Sequence, residues 1–326
     1  MNATKEYVRE IEQVFAEAAA EASRFPGGLR EKARAFISRC NPLESGGGSN
    51  AIGFLLPYWL REWAGGSERT CRDMAVGNAF AMLHYFLLDD AMDESGRKEG
   101  TDADGDEPSI RERLALGQLF YARFRDRYGR HFPADSAVWE RYRAYLEEWA
   151  EAVTEEGKRP ADPRDFRRLA GKSAPVKLCA AGTLLAAGRE GELGRIEEAV
   201  DLALAVLQLS DDWADWREDL EEASERCNAF LTLAREAAGW PEEEPLAERG
   251  VRRAVYRAGA LDKLADIVQA YGERLKAIPD VPAKLVSFAC EIHAGLSEDA
   301  RRAERTTIEL ASGGGLSYYL SNNTKK

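Results

Sequence analysis

Apolar residues recur along this chain at intervals of three and four almost from end to end, the spacing that lines one face of an α-helix. Val8, Ile11, Phe15 and Ala18 begin the pattern and predict an amphipathic helix over 4–24, which Pro26-Gly27-Gly28 stops. A second short helix runs to about Arg39, and the segment from Asn41 to Asn50, with Gly46-Gly47-Gly48 in it, reads as a loop. Helices follow over 50–64 and 68–94, then a polar, glycine-bearing loop from Ser95 to Glu107 that could order over a ligand. Pro108 is placed to start a helix to about Tyr128, and Pro133-Ala134-Asp135-Ser136 precedes another to about Glu156. The periodicity then predicts 164–188 with a kink at Pro175, 190–222, 224–238, 243–277 and 281–311.

No stretch alternates with the period of a strand, and Ala, Leu, Glu and Arg dominate, so the fold class is all-α. At 326 residues the chain can bury a large core, and no linker or clean repeat divides it. A single helical bundle over 1–326 is expected, with 1–40 and 312–326 peripheral, the latter holding Tyr318 and Tyr319.

Charge narrows the function. With 57 acidic against 45 basic residues, the formal charge of −12 argues against a surface for nucleic acid or anionic lipid. No apolar run reaches the 18 residues of a membrane span, and no basic-then-apolar start suggests a secretory leader. The five cysteines lie far apart and histidine occurs three times, which disfavours zinc and suits reduced core thiols in a cytoplasmic protein.

The chemistry concentrates in two places. Leu88-Asp89-Asp90-Ala91-Met92-Asp93-Glu94 puts Asp89 and Asp93 on one helical face with Asp90 beside them. Gln208-Leu209-Ser210-Asp211-Asp212-Trp213-Ala214-Asp215 repeats the spacing after another long apolar run. At ordinary aspartate usage one such pattern arises about 0.07 times in a chain of this length and two about 0.003 times, so chance acidic clusters are a poor account. Like charges one turn apart repel, and the arrangement makes physical sense if a hard dication sits among the oxygens, with phosphate oxygens and water completing its shell. Gly171-Lys172-Ser173 has the ending of a phosphate-binding P-loop, but Phe166 stands where that motif needs glycine and nothing upstream reads as a strand. Lys172 remains as a point charge that could meet a diphosphate.

Two aspartate clusters about 120 residues apart in an all-α chain resemble the class I isoprenoid synthase family, which includes the trans-prenyl diphosphate synthases and terpene synthases. The resemblance runs from the glycine loop to about Glu222 and includes Gly171-Lys172-Ser173-Ala174 and Gln208, three residues before the second cluster. It implies a helical fold around a central cavity, a homodimer, and three Mg2+ ions. Asp89, Asp90, Asp93, Asp211, Asp212 and Asp215 would hold the metal, and Arg97, Lys98, Lys172 and Gln208 the diphosphate. Tyr85, Phe86 and Trp213 would be aromatic walls for an allylic cation, and bulky His84 and Tyr85 would suit a C15 or C20 substrate.

The departures from that resemblance concern the second substrate. Chain-elongating members carry a Gly-Lys-Arg where this chain has Gly47-Gly48-Ser49-Asn50, and a histidine where it has Met82; their paired arginines align with Lys98 and Glu99. Each missing cationic donor forfeits about 1.5 to 3 kcal/mol at a diphosphate. The sequence therefore favours a terpene synthase that ionises one allylic prenyl diphosphate and releases a hydrocarbon or alcohol. Three alternatives stand beside it: a prenyltransferase that elongates with isopentenyl diphosphate, a squalene or phytoene synthase-like condensing enzyme, hinted at by Asp219, and a regulatory subunit on the same fold.

Overall fold

The computed structural model describes residues 5–45, 51–96, 108–222, 224–241 and 244–312, apart from the side chains of 45, 93–96 and 310–312. Within them every regular element is helical, as the periodicity predicts. No helix among the described residues is long and apolar enough to cross a membrane.

The chain divides into two compact units, residues 1–146 with 175–197, and residues 147–174 with 198–326. The first unit contains α1 (Val8–Ala22), α2 (Leu29–Cys40), the single turn α3 (Pro42–Ser45), α4 (Ile52–Ala64), α5 (Glu68–Gly96), α6 (Ile110–Gly129) and most of α7 (Ala137–Thr154). Its long pair α5 and α6 runs antiparallel, since Asp73 meets Arg130 while His84 meets the Gly117 carbonyl and Asp90 meets Arg113. The pair approaches closely because Gly77 offers no Cβ: one placed there would sit 2.9 Å from the Tyr128 ring. Phe80, Phe120, Phe124 and Tyr128 fill the seam, all 2% exposed or less. The α6 start differs slightly from expectation. Ser109, not Pro108, caps it, and Glu112 reaches back to the Ser109 N–H at 2.9 Å in a capping box.

A buried charge knot crosses this seam. Arg127, 5% exposed, donates to Asp73 at 2.7 Å, to Glu17 at 2.8 Å and to Glu21 at 2.8 Å, while His131 contacts the second Asp73 oxygen at 2.8 Å. Burial works to raise the Asp73 pKa, but the bonds from His131 and Arg127 and the charge of Arg130 hold it below its ordinary value.

The second unit contains α8 (Phe166–Gly171), nearly all of α10 (Leu193–Glu221), α11 (Ala229–Ala238), α12 (Glu248–Ala258), α13 (Ala260–Ala277) and α14 (Ala283–Ser312). Two sequence expectations are corrected here. The run 243–277 is not one helix: Gly259, at φ +65°, ends α12 and starts α13 in the left-handed region that glycine tolerates. The run 164–188 is not a kinked helix either. α8 stops at Gly171, a 3-10 turn follows over Ala174–Lys177 of which Pro175 is part, and α9 (Leu178–Ala186) begins anew in the first unit. Gly171 itself lies hard against α7, where a Cβ would meet that of Ala152 at 2.9 Å.

The cysteines form no disulfide; Cys71 and Cys179 are buried but Cys290 is exposed, so the expectation of core thiols holds only in part.

Candidate active site

The first acidic segment ends α5. At about 100° per residue, Met82, Phe86, Asp89 and Asp93 lie along one helical stripe. Asp89 is exposed and Asp90 half-buried, with Arg113 Nη1 3.5 Å from the Asp90 carbonyl. Met82 packs against α4, its sulfur filling the space beside Gly53. Phe86 is half-buried one turn before the aspartates. Tyr85 is committed to packing: its hydroxyl lies 3.2 Å from that of Tyr142 on α7, its ring is 5.0 Å from His84, and burial pushes the phenol up to about 12. The side chain of Asp93, all of Arg97 and Lys98, and the glycine loop 46–50 lie outside the described residues.

The second segment lies on α10, and there the structure assigns different work to neighbouring carboxylates. Gln208, Asp211, Asp212, Asp215 and Asp219 share a sector of about 100°. Asp212 is 5% exposed, and both its oxygens are engaged: Gln208 Nε2 donates to Oδ1 at 2.8 Å, and the Ala229 N–H, in the first turn of α11, donates to Oδ2 at 2.7 Å. A carboxylate at a helix N-terminus is stabilised by the exposed N–H groups and the helix dipole. Its pKa is still raised to about 6, because burial outweighs the Gln208 and Ala229 bonds and the Lys172 charge, and Asp219 adds repulsion. Asp211 is partly exposed and is pushed further, to about 7, by burial and then by Asp215 and Asp212. Asp215 is exposed, and it too is raised, by desolvation, Asp219 and Glu218.

Lys172 occupies the C-terminal end of α8, not a mid-helix position as the sequence suggests, and its ammonium pairs with Glu156. It lines a cavity of about 30 Å³, room for about one water, together with Gln208, Glu156, Leu169, Arg226 and Cys227. The structure thus brings Lys172 and Gln208 together. Arg226 is a cation beside them that spacing alone does not pick out; the chain brings it back when the Arg226 carbonyl accepts from Ala161 N–H at 2.9 Å.

Trp213 is a correction. At two residues from Asp211 it points about 200° around α10 from that carboxylate, outside the acidic sector. Its ring meets Phe230 edge-on at 4.8 Å, its N–H donates to Asp299 at 3.1 Å, and its open side belongs to a separate cavity of about 270 Å³ with Trp216, Arg217, Arg252, Val255 and Tyr256. It is therefore no wall of the aspartate site.

A dication fits the α10 donor set. Asp211 and Asp215 offer hard oxygens one turn apart, and burial together with Asp215 and Asp212 raises the Asp211 pKa. Among the described residues no three carboxylate, histidine or cysteine side chains converge into a closed metal cage. Magnesium rarely needs one, binding through one or two carboxylates with water and substrate phosphate.

No protein-family profile matches the sequence, and no curated protein matches it. Solved structures do. A decaprenyl diphosphate synthase from Rhodobacter capsulatus superposes with a TM-score of 0.64 at 16% identity, covering 90% of this chain and 98% of that one. A geranylgeranyl pyrophosphate synthase from Lactobacillus brevis gives 0.65 at 12% identity, with 89% and 97% covered. A heptaprenyl diphosphate synthase from Staphylococcus aureus gives 0.64 at 12%, with 88% and 97% covered. The chain has the all-helical fold of these prenyl diphosphate synthases. At such identities the likeness establishes architecture, and chemistry has to be argued from the side chains.

Proposed function

We propose that this protein is a magnesium-dependent isoprenoid synthase that breaks the carbon–oxygen bond of an allylic prenyl diphosphate. The observation that carries this reading is the division of labour on α10: Asp212 is spent on holding α11, while Asp211 and Asp215 keep their carboxylates off that work, each with its pKa raised by burial and then by neighbouring carboxylates. On α10 Asp211 and Asp215 would supply oxygens for metal, with Gln208 acting through Asp212 and Lys172 a cation for diphosphate; the resemblance implies the metal role for Asp89, Asp90 and Asp93 as well, and the diphosphate role for Arg97 and Lys98. Magnesium, when bound, neutralises charge on the departing diphosphate. The apolar side chains must then exclude water from the cationic hydrocarbon, and Phe86 on the Asp89 stripe is the aromatic face placed for that.

The three solved structures support prenyl transfer to isopentenyl diphosphate better than the one-substrate cyclisation that the sequence favours, and prenyl transfer is the first reading. Cyclisation stays as the second on one specific ground: Gly47-Gly48-Ser49-Asn50 and Met82 lack the cationic and imidazole donors that elongating members offer a second diphosphate.

The test is incubation with C10, C15 and C20 allylic diphosphates and Mg2+, each with and without isopentenyl diphosphate, followed by mass analysis. A longer diphosphate formed only with isopentenyl diphosphate supports prenyl transfer; a hydrocarbon or alcohol formed without it supports cyclisation. Release of diphosphate from none of them refutes both, as does full activity in Asp89→Ala or Asp211→Ala.

A further inference from the structure

Between α10 and α11 the chain makes a short return, and Asn228 stands at its end, 1% exposed. It is the N-cap of α11: its Oδ1 accepts from the Leu231 N–H at 2.8 Å with the backbone extended. Capping needs only that oxygen. The other half of the carboxamide does something the cap does not require. Nδ2 donates to the Asp212 carbonyl at 2.7 Å and to Asp219 Oδ2 at 2.6 Å. With the Ala229 N–H on Asp212 Oδ2, two consecutive residues grip α10 at positions two turns apart, on either side of Asp215 and within the sector that holds Asp211.

The chemistry of the grip matters as much as its geometry. A cationic donor at this place would cancel part of the negative field that the face presents to a dication. A carboxamide orients Asp219 and the backbone at Asp212 while remaining neutral, so the face is fixed in rotation and keeps its charge. Asp219 repels both Asp212 and Asp215, so without the donor it would swing towards water and the face would loosen.

We propose that Asn228 is a positioning residue for the metal-binding face of α10, acting through Asp212 and Asp219 and touching neither metal nor substrate. This rests on the reading above that the face binds a divalent cation. Outer partners that orient metal-binding carboxylates typically change affinity 10- to 100-fold when removed.

The test separates the cap from the grip. Asn228→Ser keeps a cap oxygen for Leu231 but is too short to reach Asp212 and Asp219; Asn228→Ala loses both. Each is titrated with Mn2+ alone by electron paramagnetic resonance, with thermal melting in parallel. The expected result is Mn2+ binding at least tenfold weaker in both, with a melting midpoint lowered less in the serine variant than in the alanine variant. Serine-variant binding within twofold of wild type overturns the proposal and leaves the functional reading standing. Failure of the wild type to bind Mn2+ overturns that reading, and the proposal falls with it. Should the serine variant not fold, Asn228→Thr, which likewise keeps a cap oxygen, stays neutral and is too short to reach Asp212 and Asp219, gives the same comparison.

Discussion

Replacing Asp211 by asparagine in the metal-free protein keeps the shape of the side chain and removes its charge. The folded carboxyl titrates near 7, raised by burial and by Asp215 and Asp212, against an ordinary value of 3.8. Because the folded value is the higher one, the native state is favoured while Asp211 is protonated, and that contribution is lost as pH rises from about 4 through about 7. At about 1.4 kcal/mol per pH unit the gap sets a ceiling of about 4 kcal/mol. Asp211 is partly exposed and shares its repulsion with neighbours that also titrate upward, which reduces the expected effect to about 2 kcal/mol. For a chain this long that is roughly 3 °C in melting temperature. Thermal melts followed by circular dichroism in chelator should therefore show Asp211→Asn about 3 °C above wild type at pH 8.5 and within about 1 °C at pH 4. Saturating Mg2+ should close the gap at pH 8.5, because it stabilises the wild type by binding a face that the variant has lost. An equal gap at both pH values, or an equal rise of both proteins in Mg2+, would show that burial and the neighbouring carboxylates on α10 do not set the Asp211 ionisation.

Two further predictions concern packing and the charge knot. Gly171→Ala puts a methyl group 2.9 Å from the Ala152 Cβ, so α8 must shift against α7; a loss of about 1 to 3 kcal/mol in urea unfolding is expected, and none would mean that α8 is free to move. Arg127→Met strips the buried Asp73 of its closest partner and should cost about 3 to 5 kcal/mol at pH 7. Asp73 has a lowered pKa, so its paired form contributes stability above about 3.8 that disappears as pH falls through the folded value; the penalty should shrink at pH 3.5, and a constant penalty would contradict the pairing.

The helices were legible because apolar spacing reports which face is buried, and the errors fall where spacing is silent. At Gly259 the pattern runs through the break without losing register, since Ala258 and Ala260 are compatible with either side of it; only the left-handed backbone there divides α12 from α13. At Gly171 the decisive fact is an approach to Ala152, a contact between residues 19 apart in sequence that no local pattern encodes. Asn228 was a readable cap signal, an asparagine before an apolar run, and it places the α11 start at Ala229, later than periodicity alone suggests.

The aspartate spacing was equally legible, but it overstated how many of those carboxylates are available for ligands. Adjacent residues on a helix diverge by about 100°, so an Asp-Asp pair cannot present two equivalent side chains to one partner. On α10 the second member turns inward and spends both oxygens on Gln208 and the start of α11, while the first stays towards water. On α5 the same order holds in milder form, with Asp89 exposed and Asp90 half-buried. On α10 the pair is better understood as one carboxylate offered outward and one that anchors the start of α11 beneath it. Trp213 follows from the same geometry: one residue beyond the inward aspartate, it has already rotated to the far side of the helix, where it joins Phe230 and Asp299. Proximity in sequence to a cluster of ligands therefore says less about membership of a site than position modulo 3.6 does, and residues four apart, such as Asp211 and Asp215, carry the stronger claim.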